Sequence, residues 1–239
     1  ISNGKKIYDA ILDFIFPRRC PVCDGVVKFG SFICRECRPL LIKVKEPRCY
    51  TCGRSLKNSD YEYCIDCQNK HHKYDKGLAL YEYNSVCNSI YKFKYKARAE
   101  YGDYFSREMA LSFKSEIKKW NADAIIPVPL HKRKQRARGY NQAAILAKSL
   151  SDYLNIPYFP QIVIRKRNTL PLKELDPESR QINLENAFII RLDGVKLNRV
   201  IIVDDIYTTG TTIDEIAGLL KKNNVQKVFF LTLAIGIGV

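Results

Sequence analysis

Four C-x-x-C pairs constrain this chain more than any other feature of its sequence. They form one unit that occurs twice: Cys20-x2-Cys23-x10-Cys34-x2-Cys37, then Cys49-x2-Cys52-x11-Cys64-x2-Cys67. Each C-x-x-C turn offers two thiolates to one ion, and two turns complete the closed tetrahedral shell of a structural zinc site. The sequence therefore predicts two zinc ribbons with two structural zinc ions. Such ions supply folding energy, and their closed shells leave no open position for catalysis.

The spacing alone leaves the grouping of the pairs open. We expect sequential grouping, the first pair with the second and the third with the fourth, while a cross-braced arrangement is the alternative. Eight of the nine cysteines belong to the pairs. Cys87 lies outside them and is expected to be a small buried side chain. His71 and His72 follow the last pair but are not needed as ligands when four thiolates are available.

Clustered cysteines can also indicate the disulfides of a secreted protein, but the opening residues do not favour that class. Residues 1–16 lack a separate charged region, a long apolar core and a small-residue cleavage site. No apolar run approaches the ~20 residues of a membrane helix. We expect a cytoplasmic protein in a reducing compartment, without membrane insertion. Residues 7–16 have helical spacing and predict a short amphipathic helix that ends at Pro17.

The remaining sequence alternates between strand and helix patterns. Strands are predicted at residues 122–129, 160–164, 200–203 and 227–235, and helices at 103–120, 138–154 and 211–224. Residues 91–96 alternate aromatic and basic side chains, which predicts a further strand with one basic face. Strands separated by helices imply parallel pairing with right-handed crossovers, and hence an open α/β sheet. We expect residues 1–74 to hold the helix and ribbons, and residues 75–239 to form the α/β domain.

The segment VIIVDDIYTTGTT, residues 200–212, is the clearest candidate for a ligand-binding site in the sequence. In open α/β proteins, ligands bind at the carboxyl ends of strands, where Asp204 and Asp205 are expected. Their carboxylates can accept hydrogen bonds from sugar hydroxyls. The residues that follow can donate hydroxyl and backbone hydrogen bonds to a phosphate at a helix N-terminus. They are Thr208, Thr209, Gly210, Thr211 and Thr212.

Two simpler interpretations account for less of this segment. An apolar strand that ends in two aspartates also occurs in P-loop NTPases, but the chain contains no G-x-x-x-x-G-K-[ST] motif to cradle the phosphates. Asp204 or Thr208 could instead only cap the next helix. Capping does not explain two carboxylates and four threonines together.

Residues 200–212 resemble the signature of type I phosphoribosyltransferases, which bind 5-phosphoribosyl 1-pyrophosphate. Tyr207 departs from that pattern, which usually has an aliphatic residue there. The sequence as a whole resembles the ComF (ComFC) family, which joins a double zinc ribbon to a type I phosphoribosyltransferase domain and is associated with DNA uptake and natural transformation. The motifs that carry this resemblance are LDFIFPRRCPVC, the pair Phe93–Lys94, IIPVPLHKRKQRARGYNQA and RNTLPLKELDPESRQINLENAF. In the last, Leu172 replaces the glutamine of many relatives.

The resemblance implies a donor site in three parts. Asp204 and Asp205 would hold the ribose hydroxyls and stabilise the positive charge that develops on the sugar as pyrophosphate leaves. Residues 208–212, which we call the threonine loop, would hold the 5-phosphate. Magnesium would bridge pyrophosphate and ribose oxygens. The pyrophosphate would lie near the loop after the second strand, with Pro129, Leu130, His131, Lys132, Arg133 and Arg138.

The formal charge of +15 favours a polyanionic partner. Single-stranded DNA is the partner expected, because cations interleaved with aromatic residues are typical of surfaces that bind single strands. The candidate contacts are Lys92, Lys94, Lys96, Lys134 and Arg136. Proteins of the competence machinery are further possible partners. Two alternatives stay open: an active phosphoribosyltransferase of nucleotide metabolism with no DNA role, and a sensor that reports donor level.

Overall fold

The computed structural model describes residues 17–166 and 187–236. The helix predicted for residues 7–16 lies outside the described residues, as does Leu172. Within the described part of the chain, no helix is both long and apolar enough to cross a membrane.

The cysteine-rich segment folds into two ribbons with little regular secondary structure. Each opens on an equivalent turn, in which Cys20 N donates to Gly25 O and Cys49 N donates to Arg54 O, both at 2.8 Å. A short 3-10 turn, Arg38–Leu40, ends the first ribbon, and helix α1, Ile65–Asn69, ends the second. Turn-rich segments of this kind have little regular structure of their own, so a metal ion held by the cysteines would add to their stability.

Four parallel strands form the central sheet. They are β1 Lys76–Glu82, β2 Ala124–Pro127, β5 Arg199–Tyr207 and β6 Lys227–Ile235. Their order is β1-β6-β5-β2, so β5 is an inner strand. Strands β3, Val163–Arg165, and β4, Phe188–Ile190, form a separate antiparallel pair. The predicted open parallel sheet is confirmed, but the strand predicted at 160–164 does not join it.

Five helices accompany the strands. They are α2 Tyr83–Tyr95, α3 Tyr101–Trp120, α4 Lys132–Arg138, α5 Gln142–Leu154 and α6 Thr211–Lys222. The sheet has a buried core on each face. One core joins the first ribbon, α2, α3 and α5 to β5 through Ile201 and Val203. The other joins the second ribbon, α6 and the β3–β4 pair to β5 through Val200 and Ile202. The two ribbons therefore pack on opposite faces of one sheet.

The segment between the ribbons also pairs with the sheet edge. Val44 N donates to Leu80 O at 3.0 Å, and Glu82 N donates to Ile42 O at 2.9 Å. These bonds occupy the outer edge of β1, which would otherwise expose unpaired backbone groups. We propose that the boundary between ribbons and α/β domain lies at residues 74 and 75, as the sequence suggests, although the two parts share cores and hydrogen bonds.

The strand predicted at residues 91–96 is wrong, because this segment is the end of helix α2. Its buried positions are Val86, Ser89, Ile90 and Phe93, which have the spacing of one helix face. The alternation over six residues arises because Tyr91 and Tyr95, four residues apart, share the exposed face of the helix.

The basic segment after β2 is a short helix where a loop was expected. Helix α4 has no buried residue, and His131 begins it by accepting a hydrogen bond at Nδ1 from Arg133 N, at 3.2 Å. Gly139 then takes a left-handed φ of 83° and ends α4. The helix predicted to start at Arg138 therefore starts at Gln142, with Asn141 capping it through a bond from Ala143 N to Oδ1.

Candidate functional site

The site lies at the carboxyl edge of β5. Both aspartates are still part of the strand, which continues past the predicted end at Val203 to Tyr207. Asp205 forms an ion pair with Lys94 of α2, with Nζ 2.9 Å from Oδ1, and both side chains are more than four-fifths buried. Asp204 accepts a hydrogen bond from Asp205 N at 2.8 Å. Asp205 therefore has a cationic partner at ion-pair distance, and Asp204 is its neighbour in the same strand.

The pKa of the Asp204 carboxyl group is strongly shifted. Burial and the neighbouring charge of Asp205 raise its pKa from 3.8 to about 7. The backbone N–H of Asp205 and the charges of Lys94 and Arg165 oppose this rise. Arg165, on β3, is itself buried enough that its own pKa is lowered. A carboxyl group with a pKa near neutrality can accept or donate a hydrogen bond at physiological pH.

The threonine loop joins β5 to α6. Gly210 has a φ of 76°, a backbone conformation that residues other than glycine rarely adopt. Helix α6 begins directly after it. Thr209 Oγ1 and Thr211 Oγ1 are 2.8 Å apart. The first backbone N–H groups of a helix have no partners within it, so they face the loop as donors. A small recess at this point is lined by residues 204 and 206–213.

Tyr207, the residue that departs from the family pattern, supports the loop from below. Its ring stacks on Phe230, with centroids 4.8 Å apart, and its hydroxyl lies 2.6 Å from that of Tyr74. A Cβ at Gly210 would stand 2.5 Å from the Tyr207 hydroxyl oxygen. Glycine is therefore required here both for its φ and for its close approach to the tyrosine.

The predicted pyrophosphate loop starts beside this edge, since Val128 N donates to Val203 O at 2.9 Å. Of its residues, Lys132 and Arg133 are exposed on α4, while Pro129, Leu130 and His131 are half-buried. Arg138 has other partners: its guanidinium lies 4.9 Å above the Tyr95 ring and donates to the Tyr95 hydroxyl at 3.0 Å. The structure thus brings the start of the loop to the site but holds Arg138 against α2.

The three lysines grouped as nucleic-acid contacts do not share a face, because their segment is helical. Lys92 donates to Val22 O of the first ribbon at 2.9 Å, and Lys94 pairs with Asp205. Lys96 is exposed at the end of α2. On α4, Arg136 is exposed and Lys134 is half-buried.

Lys94 and Arg165 are the charged neighbours of the acidic pair that the sequence did not assign to it. For Lys94 a signal was present, since it directly follows Phe93, a buried anchor of α2 that fixes the direction of its neighbour. For Arg165 there was none, because β3 belongs to the separate sheet and reaches Asp204 only through tertiary packing.

The cysteines gather into two tetrads in sequential order, so the expected grouping is confirmed. All four sulfurs of each tetrad lie within 4.8 Å of one another. Tetrahedral zinc with Zn–S bonds of about 2.3 Å places its sulfurs about 3.8 Å apart. The Cys23 and Cys34 sulfurs are 3.7 Å apart, and those of Cys52 and Cys64 are 3.6 Å apart. Both tetrads therefore fit structural zinc.

The protonation preferences of the thiols agree with this fit. Burial, together with the neighbouring Cys23 and Cys20, raises the pKa of Cys34 to about 12. Burial raises the pKa of Cys20, but hydrogen bonds from the backbone N–H groups of Cys34, Cys23 and Val22 outweigh it and lower this pKa to about 7. Four crowded thiols cannot all ionise without a cation among them, and a zinc ion held by the tetrad would supply that charge.

Comparison with known proteins adds two family matches. A double zinc ribbon domain model matches residues 11–68, and a phosphoribosyl transferase domain model matches residues 140–236. Competence protein F of Haemophilus influenzae is 30% identical, over 85% of this chain and 96% of its own length. DNA utilization protein YhgH of Escherichia coli K12 is also 30% identical, over 89% and 94%. Competence protein ComFC of Bacillus subtilis is 29% identical, over 90% and 93%.

Proposed function

The chain belongs to the ComF (ComFC) family of competence proteins, with a double zinc ribbon and a phosphoribosyltransferase domain, and from that premise we propose that it binds 5-phosphoribosyl 1-pyrophosphate and acts in DNA uptake and natural transformation. The observation that carries the proposal is the edge of β5, where two carboxylates meet a threonine loop at a helix N-terminus. Relatives named for competence and for DNA utilization support the process.

Each part of the donor has a complementary group at this edge. The first turn of α6 and the threonine hydroxyls suit the 5-phosphate, because free N–H donors and the helix dipole favour an anion. Asp204 and Asp205 suit the ribose hydroxyls as acceptors. Lys94 and the cations of α4 balance the negative charge of the pyrophosphate. Magnesium would bind donor oxygens with the aspartates nearby, and it would neutralise the pyrophosphate.

The same geometry suits turnover, if an acceptor binds. Departure of pyrophosphate leaves positive charge on the sugar, and the carboxylate of Asp205, which Lys94 holds in place, would stabilise that charge. Donor binding is the proposed activity, and transfer to an acceptor would extend it. Release of pyrophosphate in the presence of donor, magnesium and acceptors tests that extension.

A second surface supports contact with single-stranded DNA. Tyr91 and Tyr95 are each more than half exposed, and their ring centroids lie 5.3 Å apart on α2. Arg138 stacks over Tyr95, and the exposed cations of α4 continue from it. Exposed aromatic rings beside cations hold single strands by base stacking and phosphate contact. We call this region, Tyr91, Tyr95, Lys96 and α4, the tyrosine–arginine surface.

The test of donor binding is a calorimetric titration with 5-phosphoribosyl 1-pyrophosphate and magnesium. We expect the double variant Asp204→Asn, Asp205→Asn to bind more than about 100-fold more weakly, because two charge-assisted hydrogen bonds are lost. The control variant Asp152→Asn, Asp193→Asn removes two exposed carboxylates elsewhere and should bind like wild type. Equal affinity of wild type and the Asp204, Asp205 variant would refute the site.

A further inference from the structure

The second ribbon contacts the threonine loop directly. Arg54, two residues after Cys52, donates from Nη2 to the carbonyl oxygen of Thr208 at 3.3 Å. The same nitrogen lies 3.2 Å from Asp66 Oδ2, on helix α1 of the ribbon. Arg54 therefore connects a zinc-binding turn with the first residue of the loop.

Arg54 is a largely buried cation, and some of its N–H groups have no hydrogen-bond partner among the described residues. Its side chain is only 11% exposed, yet its Nε and Nη1 atoms are buried without a hydrogen-bond partner among the described residues. Leaving charged donors unpaired in a buried position costs free energy, so their retention needs an explanation. Asp66 supplies one negative charge beside Arg54, and an anion bound by the adjacent loop would add a second.

The first ribbon has no counterpart to this residue. The turns Cys20–Gly25 and Cys49–Arg54 carry equivalent hydrogen bonds, which makes Gly25 the structural equivalent of Arg54. The first ribbon is instead tied to the helices, since Asp24 accepts from Arg98 at 2.8 Å and from the Tyr101 hydroxyl at 2.6 Å. An arginine at this position is thus not a requirement of the ribbon fold.

The residues after the second ribbon hold the other side of the loop. His72 Nδ1 lies 2.8 Å from Asp214 Oδ2, and Lys73 N donates to Asp214 Oδ1 at 2.8 Å. Asp214 is in the first turn of α6 and is buried. Tyr74 reaches Tyr207 beneath Gly210, as described above. The loop is therefore fixed at its start by Arg54 of the second ribbon, and at its base and end by residues 72–74.

We propose that Arg54 is a positioning residue of the donor site: it fixes the Thr208 carbonyl so that the loop presents its donors to the 5-phosphate, which makes the second ribbon a component of that site. This inference rests on the proposed donor binding and extends it. Because Arg54 acts at the phosphate end of the donor, its loss should affect ligands that carry the 5-phosphate and spare those that do not.

The test compares three ligands: 5-phosphoribosyl 1-pyrophosphate, ribose 5-phosphate and magnesium pyrophosphate. In Arg54→Met we expect the first two to bind about 10- to 100-fold more weakly, as loss of one charge-assisted bond implies, and magnesium pyrophosphate to bind as in wild type. Arg54→Lys keeps the charge without the planar fork and should be intermediate. Lys57→Met removes an exposed cation of the same ribbon and should change nothing. Zinc content is measured for each variant.

Each outcome decides the matter. Unchanged affinities in Arg54→Met, or equal weakening of all three ligands with zinc retained, would overturn the positioning role. If Arg54→Met loses zinc, Arg54→Lys decides: selective weakening of the two 5-phosphate ligands supports the role, and wild-type affinities overturn it. A wild-type protein that binds none of the ligands would remove the proposed function and this inference with it.

Discussion

Asp204 combines a donor-binding position with a perturbed acid–base equilibrium. Its folded-state pKa of about 7 lies above the usual 3.8, so the folded protein binds a proton that the unfolded chain has released. Stability from this proton is complete below pH ~4 and is lost as the pH rises through about 7. The cost of ionising a buried carboxyl group beside Asp205 is therefore present in the free protein at alkaline pH.

This predicts a specific pH dependence of stability. Between pH 6 and 8, the contribution of Asp204 to the unfolding free energy should fall by about 1.4 kcal/mol. Asp204→Asn cannot titrate and should lack this component. Denaturant unfolding of both proteins at the two pH values measures it as a difference, in which other pH effects cancel. The same pH dependence in both proteins would show that Asp204 has an ordinary pKa.

Single residues also mark the limit of sequence reasoning. The pair Asp204 and Asp205 could be located from sequence because a buried strand that ends in carboxylates has a fixed place in an α/β sheet. The partners of the pair could not. Lys94 and Arg165 come from 110 and 39 residues before Asp204 in the chain, and only tertiary packing brings them to it.

At the level of elements, the sequence pattern predicted helices and strands correctly where the apolar residues of a segment followed a single periodicity. The long apolar runs of β5 and β6 and the spacing of α3 were predicted within a few residues. The end of helix α2 was mistaken for a strand because its aromatic residues fall at every second position over six residues. Tyr91 and Tyr95 lie on the exposed face of the helix and Phe93 on the buried face. The longer spacing from Val86 through Ile90 to Phe93 would have corrected it.

The ribbons provide a prediction at this level, because they are similar in sequence but pack on opposite faces. Cys34 and Cys64 are the third cysteines of their tetrads, and both are half-buried. Replacing either with Ser should lower zinc from about two ions per chain to about one. Cys64→Ser should also abolish donor binding, because the second ribbon holds the loop. Cys34→Ser should cause a smaller loss.

Metal analysis of the purified variants and calorimetry with 5-phosphoribosyl 1-pyrophosphate test this together. Equal loss of donor affinity in Cys34→Ser and Cys64→Ser, with one zinc retained in each, would argue against a special role for the second ribbon. Zinc absent from the wild-type protein would contradict the assignment of both tetrads.

At the scale of the whole molecule, the charge of +15 is relevant to DNA. If the tyrosine–arginine surface binds single strands, two kinds of variant should differ. Replacing Arg133 and Arg136 with Ala should weaken binding and reduce the slope of log affinity against log salt by about 1.4, since each phosphate contact contributes about 0.7. Replacing Tyr91 or Tyr95 with Ala should weaken binding by about 1–3 kcal/mol per stacked base without changing the slope.

The matched control is Lys119→Ala with Lys222→Ala, which removes two exposed cations from the ends of α3 and α6. These helix ends lie near the amino ends of the parallel strands, away from the donor site at the carboxyl ends, because α3 leads into the start of β2 and α6 leads into the start of β6. Fluorescence anisotropy with a labelled oligonucleotide, over a range of salt concentrations, gives affinity and slope together. Equal slopes for the control and the arginine variant would mean that the net positive charge attracts DNA in general, and would contradict binding at the tyrosine–arginine surface.

The proposed donor site unites the whole molecule, since the sheet supplies the carboxylates, α2 supplies Lys94, and the second ribbon holds the loop. A crystal structure of the protein with 5-phosphoribosyl 1-pyrophosphate and magnesium tests this account most directly. It should show the 5-phosphate within hydrogen-bond distance of the backbone N–H groups of residues 209–212, and the ribose hydroxyls facing Asp204 and Asp205. Donor bound elsewhere, with this loop empty, would contradict it.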